Sequence, residues 1–254
     1  MALLSPSRRL RRTVFSEGVE AAGVKAYTVY NHMLLPTYFK SLEDEYFHLK
    51  KDVQLWDVSV QKQIEVSGSD SYKLVQFMTC RDLSGAKVLK CYYVPLIDGN
   101  GNMINDPLVL KVEDMKWRIC IADSDVLLYA KGIADSMKLN VKIHETKIST
   151  LAVQGPKSLD VMKNVFGDEI GKLKFFNFNY FKFDDIDFMI SKSGFSKQGG
   201  YEIYVENLKS GLKLYDYIIK AGNKFNLKPG CPNVIERIEG ALLSYGNDMD
   251  NNDN

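Results

Sequence analysis

Two residues in the stretch GGYEIYVE, Glu202 and Tyr204, have the spacing that places side chains on one face of a strand. Gly199 and Gly200 precede them and permit close backbone approach or an unusual φ. An acid beside a phenol can bind a flat, nitrogen-rich heterocycle, because the carboxylate accepts hydrogen bonds and the ring forms an aromatic wall. The alternative is an ordinary exposed strand face with Ile203 in the core, and the local sequence leaves both open.

The stretch INDPL places Asp106 directly before a proline, inside a run that otherwise has the composition of a strand. Proline removes a donor from the sheet and holds the preceding residue in an extended conformation. Asp106 is therefore expected at a strand edge or bulge, from which its carboxylate could point into a cavity. A plain bulge with solvated Asn105 and Asp106 is the alternative.

Two further stretches could line a binding site. In IADSDV, Ser124 and the amides at a predicted helix start could receive an anionic group, although plain N-capping is the simpler interpretation. In VYNHMLLP, which contains Tyr30, aromatic and polar residues crowd before a proline. Aromatic side chains there could line a pocket for a cation, and core packing is the default for such a segment.

Metal chemistry is not indicated by the cysteines and histidines. The four cysteines show no Cys-x-x-Cys spacing, and the three histidines lack both the helical pairing and the cysteine partners of zinc sites. We therefore predict reduced thiols and no metal centre.

Charge and hydropathy exclude some classes of partner. The net charge of +1 produces no general attraction to nucleic acid or membrane surfaces. The basic cluster at Arg8, Arg9, Arg11 and Arg12 is interpreted as a solvated N-terminal arm rather than an anionic-surface contact. Neither an apolar run of membrane-spanning length nor a signal peptide is recognisable. We predict a cytoplasmic protein that binds neither nucleic acid nor membranes.

Hydrophobic periodicity predicts the same order of elements in each half of the chain. The strand QKQIEVS is followed by a helix capped near Asp70, two strands around the turn DGNGN, the strand KWRICIA and a helix. The strand STLAVQG, a helix opened by Pro156, a hairpin turning at Asp184-Asp185, the strand YEIYVE and a long helix repeat that order. This pattern predicts an α+β fold used twice.

A last helix is predicted over PNVIERIEGALLSYG. Its periodicity places Ile235, Ile238 and Leu242 on one face and Arg237 on another, and Gly246 is its expected stop.

Several long blocks resemble the folate-dependent aminomethyltransferase superfamily, which includes the glycine-cleavage T-protein, and within it the dimethylsulfoniopropionate demethylases. The blocks are VEAAGVKAYTVYNHMLLP, VQLWDVSVQKQIEV, MINDPLVLKV, IADSDVLLYAKGIA, LAVQGPKS, SGFSKQGGYEIY and GCPNVIERIEGALLSYGNDMD. T-protein differs where this chain has Asn105-Asp106-Pro107 and Val29-Tyr30-Asn31-His32. The demethylases have Trp where Phe195 stands, a change that keeps an aromatic face and loses an indole donor.

The resemblance implies a tetrahydrofolate site in the middle of a cloverleaf of three subdomains. Glu202 would hold the pterin, and Tyr204 would line the same pocket. Ser124 and Arg237 would be further folate contacts, and Asp106 would be the carboxylate close to the reactive folate nitrogens.

The implied reaction moves a methyl group from dimethylsulfoniopropionate to N5 of tetrahydrofolate, which forms methylthiopropionate and 5-methyltetrahydrofolate. A sulfonium is already a good leaving group, so alignment and water exclusion matter more than a covalent nucleophile. Asp106 would stabilise the positive charge on the attacked nitrogen, while Tyr30 and Phe195 would face the sulfonium. The alternatives are aminomethyl transfer in the glycine cleavage system and folate binding without turnover.

The resemblance also implies a domain division. Residues 1–60 would pack as an N-terminal segment on two α+β folate-binding subdomains, 61–145 and 146–254. Family members continue past the YGNDM block into a third, β-rich C-terminal subdomain, so the resemblance implies that this chain is truncated. The oligomeric state is left open, a homodimer included.

Overall fold

Short strands and helices alternate along the chain, which a computed structural model describes for Ser7 and residues 9–252. The strands are β1 (Ala26–Tyr30), β2 (Met33–Tyr38), β3 (Val53–Asp57), β4 (Gln63–Ser67), β5 (Lys90–Tyr93), β6 (Leu96–Ile97), β7 (Met103–Asn105), β8 (Leu108–Glu113), β9 (Lys116–Cys120), β10 (Lys142–Glu145), β11 (Ser149–Gln154), β12 (Phe178–Phe183), β13 (Ile186–Ser191), β14 (Gly200–Val205) and β15 (Leu227–Gly230). The α-helices are α1 (Ser16–Ala21), α2 (Leu42–Lys51), α3 (Ser71–Phe77), α4 (Val126–Ser136), α5 (Ser158–Phe166), α6 (Leu208–Gly222) and α7 (Val234–Glu239). No helix in the described part of the chain has the length and apolar character needed to cross a membrane.

One compact unit, the six-stranded unit, comprises the chain up to Val60, Ser149–Phe175 and Asn179–Leu242. Its sheet has the order β12-β13-β14-β11-β3-β15, in which β15 runs parallel to β3. Helices α5 and α6 supply apolar side chains to a core on one face of this sheet. In these helices and strands, apolar residues recur with the period of the element, which places them on the face that packs in the core.

The second compact unit, the five-stranded unit, comprises Gln61–Ile148, Phe176–Phe178 and the chain from Leu243 onward. Its sheet has the order β10-β4-β9-β8-β5, with antiparallel pairing throughout. Helices α3 and α4 bury apolar residues against one face. The hairpin β6-β7 is a separate two-stranded sheet.

The two units repeat one order of elements, as the periodicity predicts. Strand β4, helix α3, strands β5, β8 and β9, and helix α4 correspond to β11, α5, β12, β13, β14 and α6. The repeats differ in one neighbouring strand. Strand β4 pairs with β9 and β10, whereas β11 pairs with β14 and with β3 from the N-terminal part of the chain. The predicted α+β fold, used twice, is confirmed. The division into 1–60, 61–145 and 146–254 as segment and folate-binding subdomains stays a prediction.

Prolines shorten the strands around the turn DGNGN. The two long strands expected there are each split, into β5 and β6 at Pro95 and into β7 and β8 at Pro107. A proline has no N–H to donate to the sheet, so the ladder ends at each of these positions.

A glycine after the first strand of each repeat lets two backbone segments pass closely. Gly155 has φ +120° and Gly68 has φ +123°. A Cβ on Gly155 would lie 2.4 Å from the carbonyl oxygen of Asp52, and a Cβ on Gly68 would lie 2.5 Å from that of Asn140. No side chain fits at either position without moving backbone.

We expect Gly155→Ala to lower the free energy of unfolding by about 2 kcal/mol, because the substitution combines an unfavourable φ with a clash against backbone. Gly23→Ala is the control, since Gly23 has φ +88° and a Cβ added there would have no neighbour within 4 Å. Its expected loss is about 1 kcal/mol, the cost of the left-handed conformation alone. Urea denaturation of both variants measures the difference, and equal losses would contradict the close approach.

The expected cap of helix α3 is wrong. Asp70 makes no side-chain cap for α3, and its carboxylate accepts a hydrogen bond from the backbone N–H of Asn140 at 2.7 Å. Phe77 of α3 and Leu212 of α6 are exposed although their spacing matches the buried stripes. Periodicity indicates which residues share a face, but it does not give the edges of the packed area.

The expected polarity of the last helix is also wrong. Helix α7 ends at Glu239, and its Ile235 and Ile238 are exposed, Ile238 by 63%. Glu236 and Arg237 are instead buried. Tertiary packing therefore overrides the apolar stripe here.

The backbone of the N-terminal arm is tied to the first hairpin, while Arg9, Arg11 and Arg12 are exposed, as the prediction of a solvated arm requires. The N–H of Arg11 donates to the carbonyl of His32 at 2.8 Å, and that of Leu34 donates to Arg11 at 3.1 Å. Arg12 forms an ion pair with Glu20 at 2.8 Å. Arg8 lies outside the described residues.

Candidate active site

Strand β14 has two different faces, as its alternation predicts. Tyr201, Ile203 and Val205 lie in the core beneath α5 and α6. Glu202 and Tyr204 share the opposite face and are also buried, with Glu202 only 8% exposed. The shared face is confirmed, and the alternative of an exposed polar face is wrong.

Hydroxyl groups surround the carboxylate of Glu202. Ser193 donates a hydrogen bond to it, and the hydroxyl of Tyr204 lies 3.4 Å from Oε2. Ser191 links the two donors, since its Oγ lies 2.6 Å from Ser193 Oγ and 3.1 Å from the Tyr204 hydroxyl. Burial raises the pKa of Glu202, and these hydroxyls oppose part of that rise. The result is a desolvated acceptor held in a fixed orientation.

Phe195 lies in the loop between β13 and β14, two residues after Ser193, and is half-buried. Gln154 of β11 holds this loop on both sides of Phe195. Its Nε2 donates to the carbonyl of Ser193 at 3.2 Å, and its Oε1 accepts from Ser196 Oγ at 2.7 Å. The aromatic ring is thus presented by an anchored segment.

Asp106 lies between β7 and β8, where Pro107 interrupts the strand. The hydroxyl of Tyr93, at the end of β5, donates to Asp106 Oδ2 at 3.3 Å. Burial raises the pKa of Asp106 to about 6, opposed by Tyr93 and by the backbone N–H groups of Tyr245 and of Asp106 itself. Burial and the charge of Asp106 raise the pKa of Tyr93 to about 12. The carboxylate is therefore partly desolvated and ionises near neutral pH.

Asn105 and Ser124 are joined next to Asp106. Asn105 is 0% exposed and donates from Nδ2 to Ser124 Oγ at 2.8 Å. It also bonds both backbone groups of Ala122, while Ser124 Oγ donates to the carbonyl of Ile104 at 3.1 Å. A solvated Asn105 is therefore the wrong alternative. N-capping by Ser124 is also wrong, because α4 has Asp125 at its N-cap position.

Tyr30 and Arg237 occupy different elements of the six-stranded unit. Tyr30 ends β1 half-buried, and the tight turn after it has φ +50° at Asn31 and +61° at His32. Asn31 donates from Nδ2 to the carbonyl of Val60 at 3.0 Å, which fixes that turn. Arg237 is buried and donates from Nη1 to the carbonyl of Leu242 at 3.3 Å.

The carboxylate beside Arg237 in sequence is an unusual buried acid. Glu236 is 1% exposed, and neither of its oxygens accepts a hydrogen bond of ordinary geometry. Burial raises its pKa to about 7, opposed by the backbone N–H groups of Glu236 and Asn233 and reinforced by the charges of Glu239 and Glu45. Charging Glu236 thus works against folding.

We expect Glu236→Gln to stabilise the protein by about 1 kcal/mol at pH 8, because glutamine carries no charge that must be buried. Because the folded pKa lies above the usual 4.5, the wild-type protein loses stability as the pH rises from about 4.5 to about 7. The difference between variant and wild type should vanish near pH 4. Glu239→Gln is the control, because that exposed carboxylate pairs with Lys50 and its removal should give no stabilisation. Urea denaturation at the two pH values measures both.

One pair of predicted residues is brought into contact, Glu202 with Tyr204. Ser124 is hydrogen-bonded to Asn105, the residue before Asp106 in the chain. The supporting residues Tyr93, Ser191, Ser193 and Gln154 were missed. Ser191 and Ser193 have the two-residue spacing of a common strand face, which was the available signal. No group of three His, Cys, Asp or Glu residues able to hold a metal occurs among Ser7 and residues 9–252.

Known proteins match most of this chain. The family described as the GCVT N-terminal domain matches residues 15–254. The dimethylsulfoniopropionate demethylase DmdA of Ruegeria pomeroyi is 47% identical over 249 residues, covering 98% of this chain and 68% of that protein. The aminomethyltransferase of Thermoanaerobacter pseudethanolicus is 29% identical over 222 residues, covering 85% of this chain and 60% of that protein.

The fold has a counterpart among solved structures. The crystal structure of the glycine cleavage system aminomethyltransferase T from Bartonella henselae matches with a TM-score of 0.82 and 19% identity, over 95% of this chain and 65% of that chain. This chain thus spans between 60% and 68% of the length of these relatives. With the match over residues 15–254, the chain belongs to the family of GCVT N-terminal domains.

Proposed function

We propose that this chain functions as a tetrahydrofolate-dependent methyltransferase that demethylates dimethylsulfoniopropionate to methylthiopropionate and forms 5-methyltetrahydrofolate. The observation that most supports the proposal is the 47% identity, over nearly the whole chain, to a protein named for that demethylation. The chemistry of Glu202 and Asp106 agrees with the proposed methyl transfer. A desolvated acceptor and an acid that ionises near neutral pH suit folate binding and methyl transfer to a nitrogen.

Glu202 is the residue proposed to hold the pterin. Its buried carboxylate receives hydrogen bonds from the hydroxyls of Ser193 and Tyr204, and it can still accept from the N–H groups of a heterocycle. Tyr204 and Ser193 fix its orientation before any ligand binds, which lowers the entropy lost on binding. Ser124 and Arg237 are the proposed further folate contacts.

Asp106 is the proposed catalytic residue. As a carboxylate it stabilises the positive charge that develops on the attacked folate nitrogen, and partial burial strengthens that interaction. The hydroxyl of Tyr93 holds the carboxylate in place. Tyr30 and Phe195 are the proposed contacts of the sulfonium, which aromatic faces attract through cation–π interaction.

Turnover is expected to depend on pH through Asp106. Because the ionised form is the active one, kcat/KM should be constant well above pH 6 and fall about tenfold per pH unit below it. Initial rates between pH 4.5 and 8 measure this limb. An acid limb that is unchanged when Asp106 is replaced would assign the titration to another group.

Incubation of the protein with dimethylsulfoniopropionate and tetrahydrofolate tests the proposal. Formation of methylthiopropionate and 5-methyltetrahydrofolate in equal amounts supports it. A parallel incubation with the aminomethyl-loaded carrier protein of the glycine cleavage system tests the second candidate, which the similarity to aminomethyltransferases favours. Folate binding without either product would leave a binding module, and the absence of binding would exclude all three. The cytoplasmic location and a homodimer stay predictions.

A further inference from the structure

Gln154, at the end of β11, is a buried amide that binds the segment between β13 and β14 at two points. Its side chain donates from Nε2 to the carbonyl of Ser193 at 3.2 Å and accepts at Oε1 from Ser196 Oγ at 2.7 Å. Because a carbonyl can only accept, the bond to Ser193 fixes which end of the amide faces which partner. One side chain thus holds the residues on both sides of Phe195.

Two glycines leave the space that this amide occupies. A Cβ added to Gly194 or to Gly200 would lie 2.5 Å from Gln154 Cδ, which is closer than non-bonded carbon atoms approach. Gly200 is also the residue of β14 that pairs with Gln154. A larger side chain at either position would displace the amide from its two partners.

Ser193 connects this anchored segment to Glu202. Its carbonyl accepts from Gln154, while its hydroxyl donates to the carboxylate of Glu202. Ser191 Oγ lies within hydrogen-bond distance of both Ser193 Oγ and the hydroxyl of Tyr204. All of these residues belong to the six-stranded unit. A shift of the Ser193 backbone therefore moves a donor that orients Glu202.

We propose that Gln154 is a positioning residue for two ligand contacts at once: through Ser193 it sets the orientation of Glu202, and through Ser193 and Ser196 it sets the position of Phe195. The inference rests on the proposed function for the roles of Glu202 and Phe195, and on the hydrogen bonds above for the geometry. Loss of this one amide is expected to weaken the binding of the pterin and of the sulfonium together.

Amide hydrogen exchange over residues 192–199 tests the inference without folate or a methyl donor. Gln154→Met keeps an unbranched side chain of similar length and loses both hydrogen bonds. We expect exchange in this segment to become about tenfold faster than in the wild type, because the segment opens locally more often. Unchanged exchange in a folded Gln154→Met protein would overturn the proposal.

Gln54→Met is the matched control. Gln54 lies opposite Gln154 on β3 and is also 1% exposed. Its amide donates to the carbonyl of Glu45 at 2.9 Å and accepts from Trp56 Nε1 at 2.8 Å. Exchange over residues 192–199 should therefore stay within about twofold of wild type in this variant. Equal acceleration in the two variants would show general loosening of the sheet and would also overturn the proposal.

Binding measurements separate the two branches of the anchor. In Gln154→Met, we expect the Kd for tetrahydrofolate and the KM for dimethylsulfoniopropionate each to rise about tenfold. The kcat should fall by less than about threefold, because neither lost bond involves Asp106. A rise in KM without a rise in the folate Kd would overturn the link from Gln154 to Glu202.

Ser196→Ala is a milder variant that guards against a folding defect. It removes the bond on one side of Phe195 and leaves Gln154 bonded to Ser193. We expect the KM for dimethylsulfoniopropionate to rise about threefold while the folate Kd stays within about twofold of wild type. Thermal melting checks that each variant is folded.

Failure of the proposed function is distinguishable from failure of this inference. If the wild type transfers no methyl group but the exchange rates change as expected, the proposed function fails and the anchoring by Gln154 stands. If methyl transfer occurs and Gln154→Met exchanges and binds as the wild type does, only the positioning role fails.

Discussion

Asp106→Asn is expected to lower kcat by about 100-fold or more while the Kd for tetrahydrofolate changes by less than about threefold. Asparagine has nearly the same shape and keeps an oxygen for the hydroxyl of Tyr93. It lacks the negative charge that would stabilise the nitrogen as it becomes cationic. The change therefore removes an interaction that is stronger in the transition state than in the bound ground state. Single-turnover rates with saturating folate and a separate binding titration measure the two effects.

Tyr93→Phe is the matched control for that experiment. It keeps the charge of Asp106 and removes one hydrogen bond to it, a bond that lowers the pKa of the carboxyl. We expect kcat at pH 8 to stay within about threefold of wild type and the acid limb to move to higher pH. Full activity of Asp106→Asn would remove Asp106 from the mechanism. Equal loss of folate binding and turnover would assign it to binding instead.

Glu202→Ala is expected to weaken tetrahydrofolate binding by about 10-fold to 100-fold, because the donors of the pterin would lose a charged acceptor that is already desolvated. The variant also removes the carboxylate that accepts from the hydroxyls of Ser193 and Tyr204. A loss of folding stability of about 1–3 kcal/mol should accompany the loss of affinity. Calorimetric titration with folate and urea denaturation measure these separately.

Two milder variants separate binding from folding. Glu202→Gln keeps an acceptor oxygen without the charge and should bind folate with an affinity between those of wild type and Glu202→Ala. Ser193→Ala removes a donor to Glu202 but leaves the carboxylate, so we expect its affinity to fall by less than about tenfold. Wild-type affinity in a folded Glu202→Ala protein would exclude Glu202 from the folate site.

Local patterns predicted much of the fold. The turn at Asp184-Asp185 has φ of +51° and +60°, as a tight hairpin requires, and β14 alternates between a core face and a polar face. These features depend on neighbours within a few residues, so the local sequence contains the information needed. The repeated order of strand, helix, three strands and helix follows from the same local signals.

The contacts of the candidate site were less accessible to prediction. Tyr93 meets Asp106 only because β5 ends where the strand broken by Pro107 passes. Ser193 meets Glu202 because the loop after β13 passes beside β14. Helix α7 buries Glu236 and exposes Ile238, and nothing in the local sequence predicts this orientation. Such contacts depend on strand order and on which helix face is covered, and neither is a property of a short window.

The amino-acid sequence by itself determined the α+β repeat, the family and the identities of Glu202, Tyr204 and Asp106 as candidates, because residue type and spacing are local and the family blocks are long. Only the tertiary structure decided how far the acidic side chains are buried and how far their pKa values are shifted. The pKa of Asp106 near 6 and that of Glu236 near 7 arise from burial by segments distant in the chain. Desolvation is a sum over everything packed around a group, so it is defined only once the fold exists.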